Sequence, residues 1–431
     1  MRQVRTARPM SDVSKLLGIA ALLPLVPLAV GVSLYFGHVN DDAFITYRYS
    51  QALATGQGPY FNPGEAVEGY TNFLLMLILS GVHVIAGAAA LPWVSKVIGI
   101  GGMGVAVAAL PRIGVRVAPG NASVQGLWVG AVAGCLVAVF PGVTVNATSG
   151  LETGLYAGLT VAALICARDA GLLRCRFATT SGCFWAAAVI TRPEGALIFA
   201  VWWVARVASG LRGWRAIADA VPVVTAFIGL TLFRYFVYDG ELLPNTWYAK
   251  GGGYLGLTPG VYVVNGAMAP FLGPIGVAFS LVGYGVGFSR GRALGIGYGR
   301  TLVPIAAVGL VGAALPFITG SDWMPGWRFS VPYLPALAIV IVVGWMALLR
   351  SFLGDRLATA ALLVVVLVAA IAHHPERVEL KERLDLRAKG YVSGHGALAE
   401  WLGEEALHAG DTVALMDIGI VGYRNPDVRI L

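Results

Sequence analysis

Long apolar stretches separated by short polar connections run along most of this chain. Those long enough to form spans fall at residues 16–36, 93–111, 123–142, 151–166, 178–191, 195–208, 216–236, 262–288, 301–319, 329–349 and 355–372. A crossing helix takes about 20 apolar residues, so the shorter runs, and those broken by Gly or Pro, have approximate ends. One further run, 71–90, is apolar enough to cross, yet crossing there would invert everything downstream. Beyond residue 373 the pattern changes to the charged ERVELKERLDLRAK, a helical stretch near 394–408, an apolar run at 412–416 and a second strand at VRIL. A strand with no successor leaves an open edge, which predicts a truncated chain. The pattern predicts an all-α polytopic domain over residues 1–372, with about 11 transmembrane helices and a first outer loop at 37–70, followed over 373–431 by the start of a small extracytoplasmic α/β domain.

Composition agrees with spans and excludes a soluble enzyme: 57% of residues are hydrophobic, only 12% are charged, and 57 are glycine. Arg2, Arg5, Arg8 and Lys15 precede the first apolar run as in a signal sequence. That run is longer than an h-region and no small-x-small site follows it, which predicts a retained anchor with a cytoplasmic N-terminus. Cys135, Cys166, Cys175 and Cys183 fall in or beside spans, with neither a disulfide framework nor zinc spacing.

Charge decides topology. If 71–90 does not cross, the cytoplasmic side holds Arg2, Arg5, Arg8, Lys15, Arg112, Arg116, Arg168, Arg174, Arg176, Arg206, Arg212, Arg215, Arg290, Arg292, Arg300, Arg350 and Arg356. Up to residue 372 the outer side then holds only Arg48, Lys96, Arg192, Arg234, Lys250 and Arg328. Crossing would place most arginines outside and violate the positive-inside bias. We therefore read 71–90 as re-entrant or lying on the outer face, with the C-terminus outside. The net charge of +7 then anchors the protein in its bilayer, and no nucleic acid is needed to explain it.

With this topology the polar motifs collect on one side. They are Asp41-Asp42, Glu65 and Glu68 in NPGEAVEGYTN, Glu152 in SGLET, Arg192 and Glu194 in TRPEG, LLPNTWYAK ending at Lys250, and SDWMPGWRF with Asp322 and Arg328. Each lies in a connection, and a one-sided cluster of ionisable groups reads as a site facing an extracytoplasmic space.

DDAFITYRYSQALATGQGPYFNPGEAVEGYTN, SGLET, RPEG, LLPNTWYAK and SDWMPGWRF, in that order, resemble bacterial membrane glycosyltransferases of the GT-C fold, near the actinobacterial terminal arabinofuranosyltransferase group. The resemblance covers roughly residues 35–335 and continues weakly into DTVALMDIGIVGY. It implies a multi-pass enzyme of the bacterial plasma membrane that moves a sugar, arabinofuranose foremost, from a polyprenyl-phosphate donor to a cell-envelope glycan. It also implies that Asp41 and Asp42, in the first outer loop, form the acidic catalytic motif.

The chemistry of the residues fits. Displacing phosphate from an anomeric carbon needs an acceptor for the hydroxyl proton and stabilisation of the leaving anion. Two adjacent carboxylates repel, which raises one pKa toward a useful value, and we place the base at Asp41 ahead of Asp42. Lys250, Arg328 and Arg192 are the leading phosphate cations. Glu68, Tyr70, Asn72, Glu152, Glu194, Asn245, Tyr248, Asp322 and Trp323 complete the substrate-binding candidates. Paired acids at a phosphate site can hold Mg²⁺ or Ca²⁺, although no spacing demands a metal.

Plainer roles compete. Asp41-Asp42 can cap a helix, Glu65 and Glu68 can solvate a loop, and Glu152 can be a first-turn acid. Arg192 and Glu194 can clip each other across Pro193, and Trp247, Tyr248, Trp323 and Trp327 can be interfacial belt residues. A transporter or flippase is the rival class, but repeated halves and mid-membrane ionisable residues are not evident.

Overall fold

The computed structural model describes residues 10–117, 123–167, 178–245, 258–289, 296–320, 322, 324–406, 408 and 410–431, and its regular structure is almost wholly helical. Among the described residues five helices are long and apolar enough to cross a membrane: Lys15–Tyr35, Ala88–Val117, Trp214–Val237, Arg300–Thr319 and Val331–Ala372. Two bent pairs raise the number to as many as seven, Val124–Val139 with Pro141–Thr148 at 69° and Pro259–Phe271 with Gly273–Gly287 at 63°. The protein is thus a multi-pass membrane protein.

The expected eleven spans are not reproduced by helix length. The runs at 329–349 and 355–372 do correspond to two helical segments, which together form Leu334–Ala372 and meet at a kink at Gly354, whose φ of 72° no helix interior adopts. The second bent pair turns at Leu272 and Gly273, both with positive φ. The runs at 151–166, 178–191 and 195–208 form helices of 14, 12 and 14 residues. At 1.5 Å per residue these reach roughly 20 Å, short of the ~30 Å hydrocarbon core. The disputed run at 71–90 forms the 14-residue helix Phe73–Ala86, which is equally short. Apolar composition marks burial against protein as well as against lipid, so the number of crossings does not follow from apolar runs alone.

Close backbone packing holds the helices that carry the polar motifs. A Cβ built on Gly158, in Thr153–Cys166, would lie 2.7 Å from Gly102 Cα, in Leu91–Ala108. Only small residues allow this approach, the usual means of helix association where lipid offers no hydrophobic driving force. A buried stack of Trp185, Phe199 and Trp202 joins Thr180–Thr191 to Gly195–Ala208.

After His374–Gly390 the chain continues helically to Ala406 and then forms a small α/β unit. Thr412–Val413 pairs in parallel with Arg429–Ile430, and the short helix Gly419–Arg424 connects them. This unit packs on the first loop. The contact bears directly on the aspartate pair.

Candidate active site

The helix Asp41–Ala54 starts at the aspartates, and Asn40 holds the N-cap position without a side-chain capping bond. Asn40 N–H donates to the Ser149 carbonyl at 3.0 Å, tying the start of the helix to the SGLE turn. Both acids therefore sit in a first turn, where the helix dipole favours negative charge. Successive helical side chains point about 100° apart, and the two carboxyls separate accordingly.

Asp41 turns toward the C-terminal unit. Its Oδ2 accepts the Gly419 N–H at 3.0 Å and its Oδ1 the Ile420 N–H at 2.9 Å. Burial raises its pKa, the two backbone N–H groups partly oppose that rise, and Asp417 adds to it. Gly419 is needed here, because a Cβ would lie 2.7 Å from Asp41 Oδ2 and collide with the Asp41 carbonyl.

Asp42, half-buried, lines a cavity of about 240 Å³. The same cavity is lined by Thr46, Tyr70, Asn72, Glu152, Arg192, Glu194 and Arg328, with Leu315, Ile318 and Phe329 as apolar wall. Five regions distant in sequence meet there. A wider cavity of about 600 Å³, lined by Asp41, Arg387, Tyr391, His395 and Asp417, also reaches Asp42. Among the described residues Asp42 alone appears in the linings of both.

The polar groups of the smaller cavity form one network. Asn72 donates to Glu152 Oε2 at 3.0 Å and to Thr46 Oγ1 at 3.0 Å. Arg192 Nε binds Glu194 Oε1 at 2.6 Å, so the expected clip exists, but on the cavity wall. Arg192 Nη1 lies 3.5 Å from Glu152 Oε1, is buried and makes no hydrogen bond. Burial would raise the Glu152 pKa, but Arg192 and Arg328 outweigh it and hold the carboxyl below its ordinary value. Arg328 pairs with Asp322 and stands 5.2 Å from the Phe329 ring centroid.

The other candidates lie elsewhere. Glu68 is buried outside the cavity lining, bound through Oε2 to Arg234 Nε at 2.7 Å, where burial raises its pKa and Arg234 counteracts. Its backbone carbonyl accepts the N–H of Asn245, whose side chain is exposed. The geometry thus pairs Glu68 with Arg234 and leaves it out of the lining of this cavity. Tyr248, Lys250 and Trp323 lie outside the described residues. Among the described residues no three His, Cys, Asp or Glu side chains gather as a metal site.

Sequence reasoning missed Arg48. This buried side chain donates to the carbonyls of Phe61 at 2.6 Å, Gly422 at 2.8 Å and Val428 at 2.8 Å, with longer bonds to Asn62, Pro426 and Asn425. Asn62 exchanges two hydrogen bonds with the Ile430 backbone, and Arg429 pairs with Glu65. The first loop and the C-terminal unit are one assembly. Scarcity of outer cations was the signal available in sequence, and it marks both Arg48 and Arg234.

The fold superposes on ArnT from Cupriavidus metallidurans bound to undecaprenyl phosphate, with a TM-score of 0.58 at 13% identity over 96% of this chain and 85% of that one. The chain has the GT-C fold. The apo form of the same ArnT gives a TM-score of 0.56 at 14% identity, covering 94% of this chain and 85% of that one. At the sequence level, 230 residues are 31% identical to the terminal beta-(1->2)-arabinofuranosyltransferase of Mycobacterium tuberculosis. That match spans 49% of this chain and 35% of the relative's length. No protein-family model matches the sequence. In this GT-C chain, then, the resemblance drawn from the ordered motifs has a counterpart in both sequence and fold.

Proposed function

We propose that the protein is a glycosyltransferase that moves a sugar, arabinofuranose, from a polyprenyl-phosphate donor to a cell-envelope glycan, with Asp42 as the general base. The observation that carries this reading is that Asp42 borders both a cavity with arginines and one open to a larger ligand. In the smaller cavity Arg192 and Arg328 suit the donor phosphate, and Leu315 and Ile318 suit the start of its lipid chain. The larger cavity suits the acceptor glycan. An acceptor hydroxyl oxygen bonds to the anomeric carbon, its proton passes to the Asp42 carboxylate, and the carbon–oxygen bond to phosphate breaks. The electron pair leaves with polyprenyl phosphate, whose charge the arginines stabilise.

Asp41 then acts as a positioning residue that fixes the first turn through Gly419 and Ile420. The arabinofuranosyl relative and the undecaprenyl phosphate bound by ArnT support the choice of sugar and donor class. The positive-inside sorting supports an active site and C-terminus on the extracytoplasmic face, and the change of character at 373 supports division into 1–372 and 373–431. Membranes carrying the full chain, supplied in turn with polyprenyl-phosphate arabinofuranose, other polyprenyl-phosphate sugars and nucleotide sugars, test the reading. Transfer of arabinofuranose from the lipid donor is expected, and transfer from nucleotide sugars alone would overturn it.

A further inference from the structure

A third cavity, of about 170 Å³, is lined by Arg116, Arg206 and Arg300 together with Leu164, Trp202 and Ile305. Among the described residues its lining contains no carboxylate, and Asp219, which pairs with Arg206, stands behind it outside the lining. Three helices fix its position relative to the candidate active site. Thr153–Cys166 starts beside Glu152 and ends at this cavity, and Gly195–Ala208 starts beside Glu194 and reaches it at Arg206. Ile296–Ala314 runs the other way, from Arg300 toward Leu315. The two cavities thus lie at opposite ends of the same helices. From Arg300 to Leu315 the chain rises about 22 Å along the last of these helices. The arginine cavity therefore lies most of the ~30 Å thickness of a hydrocarbon core away from the candidate active site, toward the other leaflet.

Two of the cations are held in place. Arg206 binds Asp219 Oδ2 at 2.6 Å and the Ala167 carbonyl at 2.7 Å, and lies 4.9 Å from the Trp202 ring centroid. Arg116 donates to the Ile165 carbonyl. Arg300 is exposed beside Gly210 at the mouth. An arginine that merely anchors a span reaches outward to the membrane surface, whereas these converge on a hollow between helices whose remaining walls are mostly apolar, with Ser209 and Thr301 as the polar exceptions.

We propose that this cavity binds a phosphate diester, supplied as the headgroup of an anionic bilayer phospholipid in the leaflet opposite the candidate active site. Guanidinium forks match phosphate oxygens, basic pockets between spans bind anionic headgroups, and Leu164, Trp202 and Ile305 receive the glycerol and first acyl carbons.

The test uses the purified full chain, stripped of lipid in a nonionic detergent and examined by native mass spectrometry with phosphatidylglycerol, phosphatidylcholine or inorganic phosphate. A one-to-one phosphatidylglycerol adduct is expected, with little phosphatidylcholine retained. Arg300→Gln, at an exposed position that leaves the fold intact, should weaken retention about fivefold, as expected for one guanidinium at an anionic lipid, and Arg300→Lys should restore most of it. Equal retention of the two lipids, no effect of Arg300→Gln, or displacement of the lipid by inorganic phosphate would each overturn the proposal. None of these readouts requires sugar transfer, so the outcome is independent of the proposed activity.

Discussion

Replacing Arg48 with Met should release the C-terminal unit from the first loop. The three short bonds from Arg48, to Phe61, Gly422 and Val428, are charge-assisted and buried. Each such bond contributes about 1.5–3 kcal/mol, and the sum is reduced because the freed carbonyls are partly rehydrated, so roughly 3–5 kcal/mol of docking is lost. Hydrogen exchange followed by mass spectrometry reads this directly. Amide protection over residues 419–431 should fall by roughly two to four orders of magnitude, while that of Leu91–Ala108 stays unchanged. Arg48→Lys should lose most of the same protection, since an ammonium offers three donors at a point and cannot span these carbonyls. Unchanged protection of 419–431 in Arg48→Met would refute the reasoning.

Gly419→Ala should loosen the same contact locally, at about 1–3 kcal/mol, visible as faster exchange at the Gly419–Arg424 helix with the rest of the chain unaffected. The buried pair Glu68–Arg234 predicts that Arg234→Met alone destabilises by roughly 3–5 kcal/mol, and that adding Glu68→Gln recovers most of this, measured by thermal unfolding. His38 is buried, and burial first, then Arg387 and Lys96, lower its pKa from 6.5 to about 4. The folded state thus favours neutral His38. Its contribution is full above pH 6.5 and is lost as pH falls toward 4, in total about 3 kcal/mol, and His38→Gln should flatten the stability curve over that window.

The motifs were legible as a set, because polar residues in an apolar chain are few and each must be satisfied. Tyr70, Asn72, Glu152, Arg192, Glu194 and Arg328 do meet around Asp42. Which aspartate faces them was not legible, since helical phase separates the two and Asp41 finds partners 378 and 379 residues away. Arg48 was hidden for a related reason: most of its partners are backbone carbonyls, which leave no trace in side-chain identity. Apolar runs gave the membrane class and the break at Gly354, which falls between the runs at 329–349 and 355–372, but not bends such as that at Leu272, which depend on local backbone angles.

The central claim is that Asp42 takes the acceptor proton. Sugar transfer from polyprenyl-phosphate arabinofuranose by the purified full chain, compared for wild type, Asp42→Asn and Asp41→Asn, tests it most directly. The account predicts that Asp42→Asn lowers kcat by about 10²–10⁴ with little change in donor KM, and that Asp41→Asn, which keeps a carbonyl acceptor for one backbone N–H, retains measurable turnover. Full activity in Asp42→Asn, or complete loss confined to Asp41→Asn, would contradict it.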